Sequence, residues 1–143
     1  MSNPNEYRFA FTLKVLIAED NEMNKLLLSS VLSNWGIEFK MATNGIEVID
    51  LMQNHDFDLI LMDIQMPEKD GVEATVEIRK FLDERKKNIP IIALTANAVK
   101  GEEKKYFEVG MNGFLTKPFN EKDLFEIVNE VLKAHKLKFP DRK

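Results

Sequence analysis

Five polar side chains with the capacity for metal or phosphoryl chemistry stand at the ends of short, largely apolar runs of the sequence. Two are adjacent acids, Glu19 and Asp20, and the other three are Asp63, Thr95 and Lys117. Carboxylate oxygens without His or Cys ligands suit Mg²⁺ or Mn²⁺ better than zinc. A carboxylate nucleophile, a divalent cation and an ammonium group are what transfer of a phosphoryl group onto an aspartate requires. That chemistry depends on a fold that brings the five residues together.

Asp63 is the most unusual of these residues. It follows four apolar residues, Leu59 to Met62, which are typical of a strand buried in a parallel sheet, and a Met-Pro pair and a Lys-Asp-Gly turn come next. A buried charge without partners is costly, so Asp63 is expected at the open end of its strand with a cation nearby. The alternative for a single such residue is an aspartate that only caps the next turn.

Apolar runs and helical periodicities alternate along the chain. Strands are predicted at residues 15–18, 37–42, 59–62, 91–94 and 114–116, and helices at residues 22–35, 46–55, 72–82, 98–109 and 121–135. This alternation implies a parallel sheet with helices on both faces. With the flavodoxin-like strand order 2-1-3-4-5, strands one and three are neighbours and all carboxyl ends meet at one edge. Glu19, Asp20 and Asp63 would then converge there, with Thr95 and Lys117 on the other side.

Some features are interpreted from local pattern alone. The first helix is expected to belong to the core through Met23, Leu26, Leu27, Leu28, Val31, Leu32 and Trp35. The third helix is expected to continue through Leu82 and close in the charged run 83–87. Gly101 is placed inside the fourth helix, which should make that helix mobile. His55 and His135 are interpreted as surface residues at helix ends.

Composition limits the function. The 143 residues carry a net charge of −4, which argues against general affinity for nucleic acid or anionic membranes, and the absence of cysteine excludes disulfides and thiolate chemistry. No apolar run approaches the ~20 residues that span a bilayer, and no signal-peptide pattern opens the chain, so a cytoplasmic location without membrane contact is expected. One domain is predicted at residues 14–136, with 1–13 as a lead-in or linker and 137–143 as a tail or linker.

Four segments together resemble the receiver domains of two-component response regulators. The segments are AEDN (18–21), MDIQMPEKDG (62–71), LTANA (94–98) and GFLTKPF (113–119). Each is weak alone, but four in this order at strand ends are very specific, and the resemblance covers about residues 14–136. It implies a flavodoxin-like (CheY-like) (βα)5 three-layer sandwich. LTANA and MDIQMP resemble most closely the receivers of hybrid sensor histidine kinases.

The resemblance also implies roles for individual residues. Asp63 would be the phosphoacceptor, and Lys117 would pair with Asp63 or with its phosphoryl group. Asp20 would bind Mg²⁺ directly, Glu19 would act largely through water, and the backbone carbonyl of Gln65 would be a further metal ligand. Mn²⁺ is the possible substitute for Mg²⁺.

Other implied roles concern switching and hydrolysis. Thr95 would hydrogen-bond the phosphoryl oxygens and move together with Phe114, an aromatic position that is often Tyr or His in the family. The Lys117–Pro118 peptide bond would be cis. Gln65 and Asn97, each two residues beyond a site residue, could tune hydrolysis by placing or excluding the attacking water.

The expected partner is a phosphohistidine on a histidine kinase or a histidine phosphotransfer protein. The six glycines never approach a phosphate-cradling spacing, so the chain is not expected to use ATP itself. The resemblance implies a signalling switch that assists its own phosphotransfer and dephosphorylation, rather than an enzyme. The output partner is open, and a monomer or weak dimer is expected. The chain is either a stand-alone regulator or a piece of a hybrid kinase.

Three other functions are alternatives to that of a phosphoacceptor receiver domain. A metal-dependent phosphatase with an aspartate nucleophile would want an acid where Gln65 stands. A flavodoxin-like cofactor binder would need a Ser/Thr/Gly-rich loop in place of Glu19 and Asp20. A receiver-like module that takes no phosphate usually lacks one of the four residues Asp20, Asp63, Thr95 and Lys117.

Overall fold

A five-stranded parallel sheet organises the computed structural model, which describes residues 12–96 and 101–139. The strands are β1 (Lys14–Ala18), β2 (Glu38–Ala42), β3 (Leu59–Asp63), β4 (Ile91–Thr95) and β5 (Gly113–Thr116). The helices of the described residues are α1 (Glu22–Asn34), α2 (Gly45–Asn54), α3 (Gly71–Ile78), α4 (Glu84–Lys87), α5 (Glu102–Glu108) and α6 (Glu121–Lys138). The strand order is β2-β1-β3-β4-β5, and every neighbouring pair is parallel. The predicted flavodoxin-like architecture is therefore confirmed.

Two apolar cores, one on each face of the sheet, give the fold its three layers. β3 and β4 are buried along their whole length, as expected for central strands covered on both faces. One core contains side chains of α2, α3 and α5, including Met52, Ile78 and Tyr106. The other contains side chains of α1 and α6, including Leu28 and Leu124. Among the helices of the described residues, none combines the length and apolar character needed to cross a lipid bilayer.

The core face of α1 is narrower than predicted. Leu28, Leu32 and Trp35 are buried, which confirms that part of the interpretation. Met23, however, is 76% exposed, and Leu26 and Leu27 are exposed as well. Leu28, Leu32 and Trp35 follow one another at the spacing i, i+4, i+7 and share one face of the helix, whereas the three exposed residues lie on other faces.

The third helix ends earlier than predicted. α3 stops at Ile78, and Leu82 is 98% exposed instead of extending the apolar stripe. The side chain of Asp83 accepts hydrogen bonds from the backbone N–H groups of Arg85 and Lys86, so it caps a separate short helix, α4. The charged run 83–87 is thus a new helix rather than the end of the third one.

Gly101 was predicted inside the fourth helix, but it lies immediately before the observed helix, α5. It is the N-cap of α5 and has a φ of 96°, a left-handed conformation that glycine adopts without strain. The segment 97–100, which includes the beginning of that predicted helix, lies outside the described residues.

The interpretation of His135 as a surface residue is wrong. It is only 9% exposed, because it continues the buried face that Leu124, Val128 and Val131 form on α6. Its ring lies 4.8 Å from that of Phe139. α6 extends to Lys138, two residues beyond the predicted end of the domain. His55 is half-buried at the end of α2, next to Phe57.

Candidate functional site

Asp63 ends β3 at the carboxyl edge of the sheet. The side chain is nearly enclosed, with the residue only 6% exposed. Its Oδ1 accepts a hydrogen bond from the backbone N–H of Gln65 at 3.1 Å, and its Oδ2 lies 3.3 Å from Lys117 Nζ. The structure therefore supplies the cationic partner that a carboxylate at the end of a buried strand requires.

Glu19 lies fully buried next to Asp63. Lys117 Nζ donates to both carboxylate oxygens of Glu19, at 3.1 and 3.2 Å, so one ammonium group contacts two carboxylates. Asn24 Nδ2 donates to Glu19 Oε1 at 2.7 Å. Sequence reasoning missed Asn24. The feature that could have indicated it is the position of Asn24 in the first turn of α1. The side chain of Asn21 accepts a hydrogen bond from the backbone N–H of Asn24 there.

The surroundings of Asp63 favour its protonated form. The pKa of Asp63 is raised from its ordinary value of 3.8 to about 7. The largest cause is burial, because a carboxylate loses hydration when it is enclosed, and a hydrogen bond to Glu19 and the negative charge of Glu19 act in the same direction. The ammonium of Lys117 and the N–H of Gln65 act in the opposite direction. Negative charge thus exceeds what Lys117 alone neutralises.

The carboxylates of Glu19, Asp20 and Asp63 fit a divalent metal ion. Each offers one oxygen, and these oxygens lie within 4.8 Å of one another. Asp20 is exposed, whereas the other two are buried, so the cluster opens toward solvent on one side. An all-oxygen donor set of this charge suits Mg²⁺ or Mn²⁺.

The loop between β3 and α3 is held close to the nucleophile position. Gly71 N donates to the carbonyl of Ile64, and a Cβ at Gly71 would collide with the carbonyl oxygen of Asp63. Asp70 caps α3 with a reciprocal capping box to Glu73, as expected of a turn residue before the helix. The close approach explains why this position is glycine.

Thr95 ends β4 and is buried beside a cleft that Glu19 and Asp20 also line. Its Oγ1 lies 3.2 Å from the hydroxyl oxygen of Tyr106 on α5, and its carbonyl accepts a hydrogen bond from Lys117 N. Sequence reasoning missed Tyr106, because it lies in the least regular predicted helix. The cleft is also lined by Asp63 and Lys117, so β3, β4, α5 and the residue after β5 contribute to one site.

The remaining candidates lie at different distances from the cleft. Gln65 is exposed and lines it. Phe114 is half-buried in β5, with its ring 6.3 Å from and edge-on to that of Phe107. The Lys117–Pro118 peptide bond is cis. Asn97 lies outside the described residues.

Comparisons with known proteins support a single family. The family model described as the response regulator receiver domain matches residues 15–129. The chain is 42% identical to hybrid signal transduction histidine kinase I of Dictyostelium discoideum over 121 residues, which is 81% of this chain and 7% of that protein. It is 40% identical to the sensor protein GacS of Pseudomonas syringae pv. syringae over 80% of this chain and 13% of that protein. The chain thus spans only a small part of these kinases.

A shorter relative and solved structures agree. The chain is 38% identical to the polar-differentiation response regulator DivK of Brucella ovis, over 85% of this chain and 97% of that protein. The receiver domain of a sensor histidine kinase from Pseudomonas aeruginosa PAO1, solved with a magnesium ion in its active-site cleft, has a TM-score of 0.78 and 34% identity. The match covers 86% of this chain and 99% of that one. A chemotaxis response regulator of Vibrio cholerae has a TM-score of 0.78 and 30% identity, with coverage of 85% and 99%. The chain therefore belongs to the family of response regulator receiver domains.

Proposed function

We propose that this chain accepts a phosphoryl group from a phosphohistidine onto Asp63 and thereby acts as a switch in two-component signalling. The observation that carries the proposal is the position of Asp63. It ends a buried strand, lies 3.3 Å from Lys117 Nζ, and shares a carboxylate cluster with Glu19 and Asp20. Family membership supports the same function.

The chemistry assigned to Asp63 is nucleophilic. One of its carboxylate oxygens forms the new bond to phosphorus while the bond between phosphorus and the donor imidazole nitrogen breaks, and the nitrogen keeps the electron pair. The product is an acyl phosphate on Asp63. The N–H of Gln65, 3.1 Å from Oδ1, fixes the orientation of the carboxylate, so that the other oxygen is free to react on the side of Lys117.

Lys117 and Thr95 are assigned to the incoming phosphoryl group. Lys117 already contacts both Glu19 and Asp63, so its ammonium needs only a small displacement to pair with phosphoryl oxygens. The Thr95 hydroxyl, in the same cleft, is assigned to hydrogen-bond a phosphoryl oxygen, and movement of Thr95 with Phe114 is the proposed switch. Gln65 and Asn97 are proposed to tune hydrolysis.

A divalent cation is assigned to the acidic cluster. Asp20, Asp63 and the Gln65 carbonyl would hold Mg²⁺, or Mn²⁺ in its place, with Glu19 contributing largely through water. When bound, the ion supplies positive charge that neutralises phosphoryl oxygens. The all-oxygen donor set and the raised pKa of Asp63 support this assignment.

A signalling switch, rather than an enzyme, is the proposed role of the chain. The donor would be a histidine kinase or a histidine phosphotransfer protein, in a cytoplasmic setting. We infer one domain that begins near residue 14 and ends with α6, with 1–13 as a lead-in or linker and the residues after the helix as a tail or linker. The relatives favour two contexts: a segment of a hybrid kinase, as in Dictyostelium, or a regulator that is little more than a receiver, as in DivK.

Labelling by acetyl phosphate in Mg²⁺ tests the function. Wild type is expected to acquire one acid-labile phosphoryl group, held as an acyl phosphate, and both Asp63→Asn and chelation of the metal should abolish it. Asp56→Asn is the matched control, because Asp56 is exposed and lies seven positions earlier in the chain. Labelling that survives in Asp63→Asn would disprove the assignment.

A further inference from the structure

Tyr106 hydrogen-bonds the residue that we assign to the phosphoryl oxygens. Its hydroxyl oxygen lies 3.2 Å from Thr95 Oγ1, and both residues are only 5% exposed. Tyr106 is the buried residue of α5, a helix whose other side chains are at least partly exposed. The contact therefore joins the end of β4 to α5.

An apolar side chain could replace Tyr106 if packing were the only role of this residue. The ring of Tyr106 belongs to the core that also contains Met111, and a phenylalanine ring would occupy nearly the same volume. A buried hydroxyl is costly unless it has a hydrogen-bond partner, and Thr95 provides one. Tyr106 also lines the cleft that contains Asp63 and Lys117, so its hydroxyl lies at the site and not behind it.

The hydroxyls of Tyr106 and Thr95 can form a series of linked hydrogen bonds. Each hydroxyl has one donor and can accept as well, so Thr95 Oγ1 can accept from Tyr106 while it donates to a third oxygen. Linked hydrogen bonds of this kind polarise and strengthen one another in a buried environment. Phe114, the aromatic residue of β5, has no hydroxyl with which to take part.

We propose that Tyr106 is a positioning residue for phosphorylation: it donates a hydrogen bond to Thr95 and thereby directs the Thr95 hydroxyl toward the phosphoryl oxygens. The proposal rests on the proposed function of Asp63 and Thr95. It makes α5 sensitive to the phosphorylation state through one named contact. The side chain acts through Thr95 and does not itself touch the phosphoryl group.

A double-mutant cycle on the affinity for beryllofluoride in Mg²⁺ tests the proposal. Tyr106→Phe removes the hydroxyl and keeps the ring, and Thr95→Val removes the other hydroxyl at similar volume. Tyr106→Phe should weaken beryllofluoride binding roughly threefold to tenfold, the loss expected for one net hydrogen bond. In the Thr95→Val background the same change should have almost no effect, because the partner is already missing.

Met111→Leu is the matched control, since it alters the same core without touching a hydroxyl. An equal loss of affinity in this control, or a loss from Tyr106→Phe that persists in the Thr95→Val background, would reduce Tyr106 to a packing residue. Tighter binding by Tyr106→Phe would also overturn the proposal, because Tyr106 would then compete for the Thr95 hydroxyl.

A spectroscopic measurement separates positioning from stability. The sequence has two tyrosines, so a Tyr7→Phe background labelled with 3-fluorotyrosine reports on Tyr106 alone. Its ¹⁹F resonance should shift when beryllofluoride and Mg²⁺ are added, and this shift should disappear in Thr95→Val. An unchanged resonance would refute the coupling. Failure of wild type itself to bind beryllofluoride would instead refute the function proposed for Asp63, so the two failures are distinguishable.

Discussion

Replacement of Asp63 by asparagine should stabilise the metal-free protein at alkaline pH. Burial, and after it the hydrogen bond and charge of Glu19, raise the pKa of Asp63 to about 7, whereas this carboxyl ionises near 3.8 in the unfolded chain. Between these values the folded state holds a proton that the unfolded state has lost, so the free energy of unfolding falls as pH rises through this window and levels off above it. Asparagine does not titrate, and Asp63→Asn should lose this component of the pH dependence.

The size of the effect follows from the same values. A rise from 3.8 to about 7 corresponds to at most about 4 kcal/mol, at roughly 1.4 kcal/mol for each pKa unit. Sharing of the proton with Glu19 reduces this value. We therefore expect the free energy of unfolding of Asp63→Asn to exceed that of wild type by about 2–4 kcal/mol at pH 8 and by little at pH 4.

Urea unfolding in the presence of a chelator, measured at several pH values between 4 and 8.5, provides the assay. Asp56→Asn should follow wild type at every pH, because Asp56 is exposed. Addition of Mg²⁺ at pH 8 should stabilise wild type far more than Asp63→Asn, since one carboxylate of the cluster is then absent. If the difference in the free energy of unfolding between wild type and Asp63→Asn stays constant with pH, folding does not raise the pKa of Asp63 and the prediction is refuted.

Two further predictions concern the hydrogen bonds of Arg79 and the loop beside Asp63. Arg79 donates five hydrogen bonds to the carbonyls of Lys87, Ile89 and Gly110 and to the side chain of Asn112, and its burial lowers the pKa of the guanidinium to about 10. Arg79→Lys cannot reproduce this planar set of hydrogen bonds and should lower the free energy of unfolding in urea by about 2–4 kcal/mol. The exposed neighbour Lys80, changed to Arg, should change that free energy little. Gly71→Ala should abolish or sharply reduce labelling by acetyl phosphate, because the added Cβ would displace the carbonyl of Asp63. Gly101→Ala is the control: the added Cβ meets open space, although the φ of this residue is positive. It should lower the free energy of unfolding by only about 1 kcal/mol and leave labelling intact. Normal labelling of Gly71→Ala would show that the loop can shift without moving Asp63.

The sheet and its functional edge were predictable because both depend on local pattern. A continuous apolar run such as Leu59 to Met62 identifies a central strand without knowledge of its neighbours. Parallel connectivity then requires the residues after every strand to meet at one edge. Asp63, Glu19 and Lys117 consequently lie in contact although they are far apart in the chain.

The errors arose where the outcome depends on a neighbouring element. Periodicity identified α1 as amphipathic, but it could not indicate that the sheet leaves Met23 uncovered. It likewise could not show that α6 has enough length and packing to bury His135. The contact between Tyr106 and Thr95 depends on how α5 lies over β4, and no spacing within the chain encodes that placement.

The arrangement of charge suggests why the donors around Asp63 are so closely grouped. Among the described residues, the ammonium of Lys117 is the one that pairs with the acidic cluster, through Glu19 and Asp63, so the three carboxylates leave an excess of two negative charges when all are ionised. A proton on Asp63 relieves part of this excess, and a divalent cation would relieve it completely. A phosphoryl group adds negative charge again at the same place, so its stability depends on donors that the carboxylates have not already engaged. Lys117 is shared with Glu19, and the hydroxyl of Thr95, supported by Tyr106, is therefore the donor whose contribution should depend most on phosphorylation.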